Sequence, residues 1–443
     1  MNNSLNKTIT YKNLIGFAMP TIISNIFMSI YMTIDGIFVS NLVGTEALSA
    51  VNIVMPFLMV SIALGTMLAT GGSALVSKKI GENNIIEARQ SFSLLTLVSA
   101  IMGVLILLIS TLFKNQILKM LGADETIYAL VELYATPIFF IVPFAIMGIL
   151  YQIFFITEGK PLLGMSLSVI GGVMNIIFDY ILIAKFNMGL PGAALATGIG
   201  YFFSFLVGTI YFSVARKGTL YFVKPKFEWD IIIKSVSNGA SEMVTMLSSS
   251  VIVVLMNNIM IRLAGVEGVA AITIILYAQN LLSSVYVGYA VGIAPIISFN
   301  YGKKDTEKLK KVHTISLKFL TYTSVVSFLL SLLLADPIIK VFTQSGTPVY
   351  FMAMEGFLIF SGAFLFMGYN IYASSLFTAL NNGKVSALLS LFRTLILQLL
   401  TLIIFPILFN VVGVWIATPV TEVFSIMLSI YFIVRMKNVY KYA

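Results

Sequence analysis

Four polar side chains stand in otherwise apolar surroundings, and together they could hold a small cation. Asp35 lies in Tyr-Met-Thr-Ile-Asp-Gly-Ile-Phe, Asp179 in Asn-Ile-Ile-Phe-Asp-Tyr, and Thr197 in Gly-Ala-Ala-Leu-Ala-Thr. Asn175 is four residues before Asp179 and so shares its face on a helix. Two carboxylates, an amide and a hydroxyl are the hard oxygen ligands of a small cation such as sodium, or an acid pair sharing one proton. A second group, Glu242, Arg393 and Glu422, could form a structural ion pair or a substrate-binding cluster. Glu242 and Arg393 are expected at similar depth, where they could pair, with Glu422 within reach. Composition excludes other chemistry. Cys is absent and His313 is the single His, which removes thiol catalysis, Cys-ligated zinc and disulfides and leaves a His-based triad without support. Thr157-Glu158-Gly159-Lys160 lacks the spaced glycines of a phosphate loop. No catalytic residue, enzyme activity or organic cofactor is expected, and without a nucleotide-binding segment any transport would run on an ion gradient or on partner subunits.

These side chains must be positioned by membrane-spanning helices. The 443 residues are 59% hydrophobic and 10% charged, with a mean hydropathy of +0.99, against roughly 25% charged in soluble domains. About 20 apolar residues cross a bilayer core. Twelve such stretches are present, at 14–38, 51–77, 91–113, 130–156, 162–184, 190–214, 236–260, 272–298, 312–334, 351–378, 385–409 and 411–434. Of the 27 Lys and Arg, 21 fall on one side of these spans, five on the other, and Arg393 within a span. The positive-inside rule then places both termini in the cytoplasm of a multi-pass membrane protein. The net charge of +9 reads as this orientation and not as a nucleic-acid surface. By rise per residue, Asp35, Asp179 and Thr197 all lie within about 10 Å of the outer surface. An intramembrane carboxylate costs about 2.5–3.5 kcal/mol on insertion scales, so these acids are functional candidates. Glu132 and Glu355, at the outer starts of spans 4 and 10, are expected at the water interface.

The chain also repeats. A shift of 221 residues aligns 42–81 with 263–302 without a gap, with identities that include Gly44/Gly265, Glu46/Glu267, Gly71/Gly292, Ser77/Ser298 and Gly81/Gly302. Each half holds six spans, so the repeat is parallel, about an axis along the membrane normal, with a cavity between the halves. The expected fold class is an all-α membrane protein of twelve transmembrane helices in two six-helix lobes. The N-lobe covers 1–214, a cytoplasmic linker 215–235 and the C-lobe 236–443. Trp229, beside acids and lysines, suggests a short interfacial helix within that linker. Pro20, inside span 1, permits a bend there.

Ala18-Met19-Pro20, Ile34-Asp35-Gly36-Ile37-Phe38-Val39, Gly44-Thr45-Glu46-Ala47-Leu48, Asn175-Ile-Ile-Phe-Asp179, the run from Gly189 to Thr197, and Gly81 with Gly302 together resemble the MATE (multidrug and toxic compound extrusion) family of antiporters, in its MepA-like and DinF-like bacterial branch. The resemblance spans the whole chain. It implies a bacterial cell-membrane exporter in which protons or sodium enter and small-molecule drugs, organic cations, leave by alternating access. It also implies that Asp35, Asn175, Asp179 and Thr197 form the N-lobe coupling site, with Pro20 as the bend of span 1. Span 10 reads Phe366-Met-Gly-Tyr-Asn370, without the Asp of the NorM-like branch, so the C-lobe coupling site of that branch is not expected. The implied partners are drugs and membrane lipids, not nucleic acid, and the implied state is a monomer. Three alternatives compete, of which a non-transporting receptor is disfavoured by the duplication, since that builds two lobes around a central path. A lipid-linked saccharide flippase of the same superfamily would line its cavity with several Arg or Lys to meet an anionic headgroup. An intramembrane aspartyl protease would need Gly-x-Gly-Asp, and Asp179 follows Ile-Ile-Phe instead.

Overall fold

A computed structural model describes residues 4–443 except Gly44 and Lys217, and excepting the side chains of 32–42, 45, 46 and 48. Among the described residues every regular element is helical. The first half runs through α1 (Tyr11–Leu42), α2 (Thr45–Gly81), α3 (Ile85–Leu112), α4 (Tyr128–Thr157), α5 (Pro161–Asp179, carried on by a π turn over Tyr180–Lys185) and α6 (Gly189–Val214). The second half opens on a helical stretch, Trp229–Gly302, broken at Gly265 with φ 63° and ψ −155°. Only glycine takes up such a conformation without a Cβ penalty, so the stretch is two helices, α7 (229–264) and α8 (266–302). Then follow α9 (Thr306–Leu333) and α10 (Pro348–Ala379). The last stretch, Gly383–Tyr440, breaks at Asn410 with φ 52° into α11 (383–409) and α12 (411–440). Among the described residues ten apolar helical stretches are long enough to cross a membrane, and the two broken ones each cross twice. The result is twelve spans in two six-helix lobes.

The backbone repeats as the sequence does. Left-handed residues end helices at Asn83 and Lys304, at Gly159 and Asn381, and at Asn187 and Asn410. Two short helices, Lys114–Met120 and Ala335–Lys340, begin 221 residues apart and precede α4 and α10. The sequence-based spans end just before them, at 113 and 334, and leave both segments as loops. Glu132, near the start of α4, takes an ion pair from Lys114 on the first of these helices, and Glu355 is exposed.

The lobes meet closely at the cation-rich end, where α2 crosses α8. A Cβ on Gly81 would lie 2.0 Å from the Phe299 carbonyl oxygen, and one on Gly302 would lie 2.1 Å from that of Lys78. Both pairs are related by the 221-residue shift, so one backbone contact is made twice about the pseudo-two-fold axis. Glycine is required here because no side chain fits between the two main chains. Across the same end lies the N-terminal turn Ser4–Asn6. The Ser4 hydroxyl donates to the Gly159 carbonyl of the N-lobe. Asn6 accepts from Lys303 Nζ at 3.0 Å and from Lys308 Nζ at 3.2 Å, both in the C-lobe, and Leu5 is 1% exposed. The turn is a strap across the lobes, and these contacts must break for the end to open. Ser77, wholly buried at this contact, gives a probe. A Ser77→Cys protein should label slowly, and adding Leu5→Ala with Asn6→Ala should raise the rate of maleimide labelling several-fold. An unchanged rate would show that the strap does not hold this end closed.

The expected interfacial helix in the linker is not formed. Residues 218–228 form no helix, and 229–235 are already the first turns of α7. Two forces keep the segment extended. Pro225 offers no amide donor and disfavours helical conformation at Lys224. Arg89 of α3 captures the backbone, donating to the Thr219 carbonyl at 2.8 Å while its guanidinium lies over the Tyr221 ring. Leu220 is buried and the Phe222 ring stacks on Phe92, so the first part of the linker belongs to the N-lobe. Trp229 is exposed at the start of α7. Nearby, burial pushes the Glu158 carboxyl above its usual range despite its ion pair with Lys160.

Candidate functional site

The N-lobe group is assembled by α5 and α6. On α5, Ser168, Gly171, Asn175 and Asp179 follow each other at helical spacing. On α6, Thr197, Gly200 and Ser204 do the same, so two polar, small-residue faces meet. Asn175 is 1% exposed, Asp179 0% and Thr197 9%. Asn175 Nδ2 donates to Thr197 Oγ1 at 3.2 Å, and Thr197 Oγ1 donates to the Ala193 carbonyl at 3.2 Å. Three of the four residues singled out in sequence are thus brought together inside one lobe. The fourth, Asp35, is carried by α1, but its side chain lies outside the described residues, as do Gly44 and the side chains of Thr45, Glu46 and Leu48. Helix α1 runs unbroken through Pro20.

Asp179 has a feature that periodicity does not reveal: it is the last residue of the α-helical part of α5, and the π turn begins at Tyr180. A π turn inserts one residue into the helical ladder and is common at functional positions. The second π turn, Phe392–Leu397, contains Arg393. Both π turns therefore fall at charged residues already suspected of function.

The C-lobe group lines a cavity of about 310 Å³ between α7, α8, α10, α11 and α12. Its ion pair is not the one expected. Arg393 binds Glu422 in bidentate fashion, with Nε 2.9 Å from Oε1 and 3.1 Å from Oε2, and Nη2 2.9 Å from Oε1. Asn370 Nδ2 donates to Glu422 Oε2 at 2.7 Å, and Ser429 donates to Asn370 Oδ1 at 2.8 Å. Arg393 and Glu422 face each other because α11 and α12 are consecutive antiparallel helices. The planar guanidinium gains most from a carboxylate held rigid by a further donor. Glu242, half-buried on the opposite wall, makes no ion pair or hydrogen bond among the described residues. The cavity thus contains one neutralised pair and one further carboxylate, with hydroxyls and amides from Ser249, Gln279, Asn280 and Gln398.

Four polar residues escaped the sequence reading: Gln152, Ser168, Ser204 and Asn370. Ser168 and Ser204 lie seven residues from Asn175 and Thr197, and extending the helical faces by two turns would have found them. Asn370 carries no charge, so nothing in the sequence marked it as the support of Glu422.

Comparison with known proteins agrees with this architecture. A family model described as MatE matches residues 20–181 and 242–404, one match in each lobe. Multidrug export protein MepA of Staphylococcus saprophyticus is 23% identical over 414 residues, covering 92% of this chain and 89% of that protein. MepA of Staphylococcus haemolyticus is 25% identical over 441 residues, covering 97% and 94%. A solved structure described as the outward-facing conformation of a multidrug resistance MATE family transporter of the MOP superfamily superposes with a TM-score of 0.91. It has 23% identity and covers 98% of this chain and 97% of that one. With the family model matching both lobes over most of their length, this chain belongs to the MATE family.

Proposed function

We propose that the protein is a cation-coupled multidrug efflux antiporter, which exports organic cations or amphipathic drugs by alternating access and couples their exit to sodium or proton entry through the N-lobe. One observation carries the coupling assignment: Asp179 is wholly buried, one helical turn from Asn175, which is itself hydrogen-bonded to Thr197. A carboxylate kept from water needs a cation or a proton, and neutral oxygens beside it are the ligands a small cation would use. The substrate enters through the C-lobe cavity, where Arg393 and Glu422 cancel and Glu242 is a further carboxyl group. That balance also weighs against the flippase reading, because among the described residues the cavity lining includes one Arg, already bound to Glu422, and no Lys. The names of the staphylococcal relatives, multidrug export proteins, agree with drug efflux, and a transporter needs no catalytic residue. The cation-rich end faces the cytoplasm of a bacterial cell membrane by the positive-inside rule, so the strapped state would be open to the outside.

The test is transport by purified protein in liposomes, with sodium and proton gradients imposed separately and a fluorescent organic cation as substrate. Export is expected under at least one gradient and to stop when that gradient is collapsed. Export that ignores both gradients would refute the antiporter assignment.

A further inference from the structure

The polar interior of the N-lobe does not end at Asn175. About two helical turns further from Asp179, Gln152 of α4, Ser168 of α5 and Ser204 of α6 converge. Ser168 Oγ donates to Gln152 Oε1 at 2.8 Å, and Gln152 Nε2 donates to Ser204 Oγ at 3.4 Å. Between this triad and the Asn175–Thr197 pair lies a cavity of about 30 Å³. Gly171 and Gly200 leave the helix backbones bare along it, and Met28 and Tyr31 of α1 wall it on the side of the other lobe.

Two independent observations say that something polar belongs there. Asn175 Oδ1 is buried at the cavity without a hydrogen-bond partner among the described residues, and a buried acceptor left unmet costs about 1–3 kcal/mol. The space is also sufficient, since a water needs roughly 10–15 Å³ and two to four polar partners. Among the described residues the lining groups are neutral, with Asn, Gln, Ser, Thr and Tyr oxygens. Such a set cannot hold a proton by itself, but it can ligate an alkali cation through oxygen dipoles.

We propose that this chamber is a second station of the coupling ion: a site for one small monovalent cation with its water, held by Asn175 Oδ1, Gln152 Oε1 and the hydroxyls of Thr197, Ser168 and Ser204. The proposal rests on the N-lobe coupling reading above and deepens it. An ion leaving Asp179 would meet oxygen ligands instead of hydrocarbon. It cannot continue straight to the cation-rich end, because Tyr151, Phe154, Phe155 and Phe212, each at most 1% exposed, fill the lobe beyond Gln152. The remaining exit is sideways past α1, which packs on the C-lobe through the Ser29–Ser284 hydrogen bond of 2.6 Å. Displacement of α1 would open the station toward the space between the lobes, which ties release of the ion to the relative movement of the lobes.

The experiment measures the sodium concentration that half-saturates export in proteoliposomes for wild type, Gln152→Leu and Gln152→Glu. The stabilisation that sodium gives each purified protein against heat is measured alongside. Gln152→Leu should raise the half-saturating concentration at least tenfold, equivalent to about 1.4 kcal/mol. Gln152→Glu, which adds a carboxylate to the station, should lower it, a gain that a purely structural role for Gln152 could not produce. Should Gln152→Leu fail to fold, Ser168→Ala and Ser204→Ala replace it, each with an expected threefold rise. Unchanged sodium dependence in these variants, with Asp179→Asn inactive, overturns the station and leaves N-lobe coupling standing. A fully active Asp179→Asn protein would instead remove the reading on which the station rests. Export driven by protons and indifferent to sodium also overturns it, leaving water as the occupant of the chamber.

Discussion

Asp179→Asn should abolish gradient-driven export, with a fall of at least a hundredfold, while the protein remains folded and still binds drug. The substitution keeps the volume of a side chain that is wholly buried, so no cavity forms and the helix faces still meet. What it removes is the charge. An exchanger needs a group that attracts the cation in one state and cannot switch cheaply when bare in the other. Asn attracts the cation weakly and carries no charge when empty, so the empty lobe can switch and the gradient does no work. Asp35→Asn is expected to behave in the same way. Asn175→Ala and Thr197→Ala remove neutral oxygens, and they should weaken coupling less, and more severely with sodium than with protons. The measurement is efflux of a fluorescent organic cation from vesicles under each gradient, with equilibrium binding on the same purified variants. Wild-type export rates in both Asp35→Asn and Asp179→Asn would sink N-lobe coupling and turn attention to Glu242 and Glu422.

The sequence displayed the features that depend on periodicity and on the rarity of charge in a membrane. Twelve apolar runs became twelve spans because each is long enough to cross a bilayer and a helix alone satisfies its own backbone in hydrocarbon. Gly81 and Gly302 stood out as a repeated pair, and the fold explains them by a backbone contact made twice. Asn175 and Asp179 share a face because of their helical spacing, and Thr197, on the next helix, is level with them by rise per residue. Other features depend on where helices depart from regularity. The π turns at Tyr180–Lys185 and Phe392–Leu397 have no signature in composition. The choice of Arg393 between two acids follows from Asn370, a neutral side chain on a third helix, and depth along the spans could not decide it. The linker looked helical because Trp229 is flanked by charges, whereas its conformation is set by Pro225 and by Arg89 from a distant span. The strap at Ser4–Asn6 was equally hidden, since three polar and apolar residues before the first span carry no pattern.

Arg393→Ala should be the most destabilising single substitution among the charged residues of the C-lobe. The guanidinium and the Glu422 carboxylate are only 16% and 4% exposed at their side chains. Removing the cation leaves Glu422 charged and buried, and breaking a buried pair in this way costs about 3–5 kcal/mol. Glu422→Leu alone should cost a similar amount by stranding Arg393. Arg393→Met with Glu422→Leu removes both charges and fills the space, so the double variant should be far more stable than the sum of its parts and close to wild type. Arg393→Ala combined with Glu242→Ala should show much less rescue, because Glu242 makes no ion pair among the described residues. Thermal midpoints and monodisperse yields of the purified proteins supply the cycle, and strictly additive losses for Arg393 and Glu422 would show that the pair contributes nothing as a pair. The double variant also separates the two roles the sequence left open. If it folds and still exports, the pair only fixes α11 against α12. If it folds and no longer exports while Asp179 is intact, the pair belongs to the substrate cavity. In that case its bidentate bond is one the drug must displace or bind beside, and affinities for substrates of different charge should change by different factors.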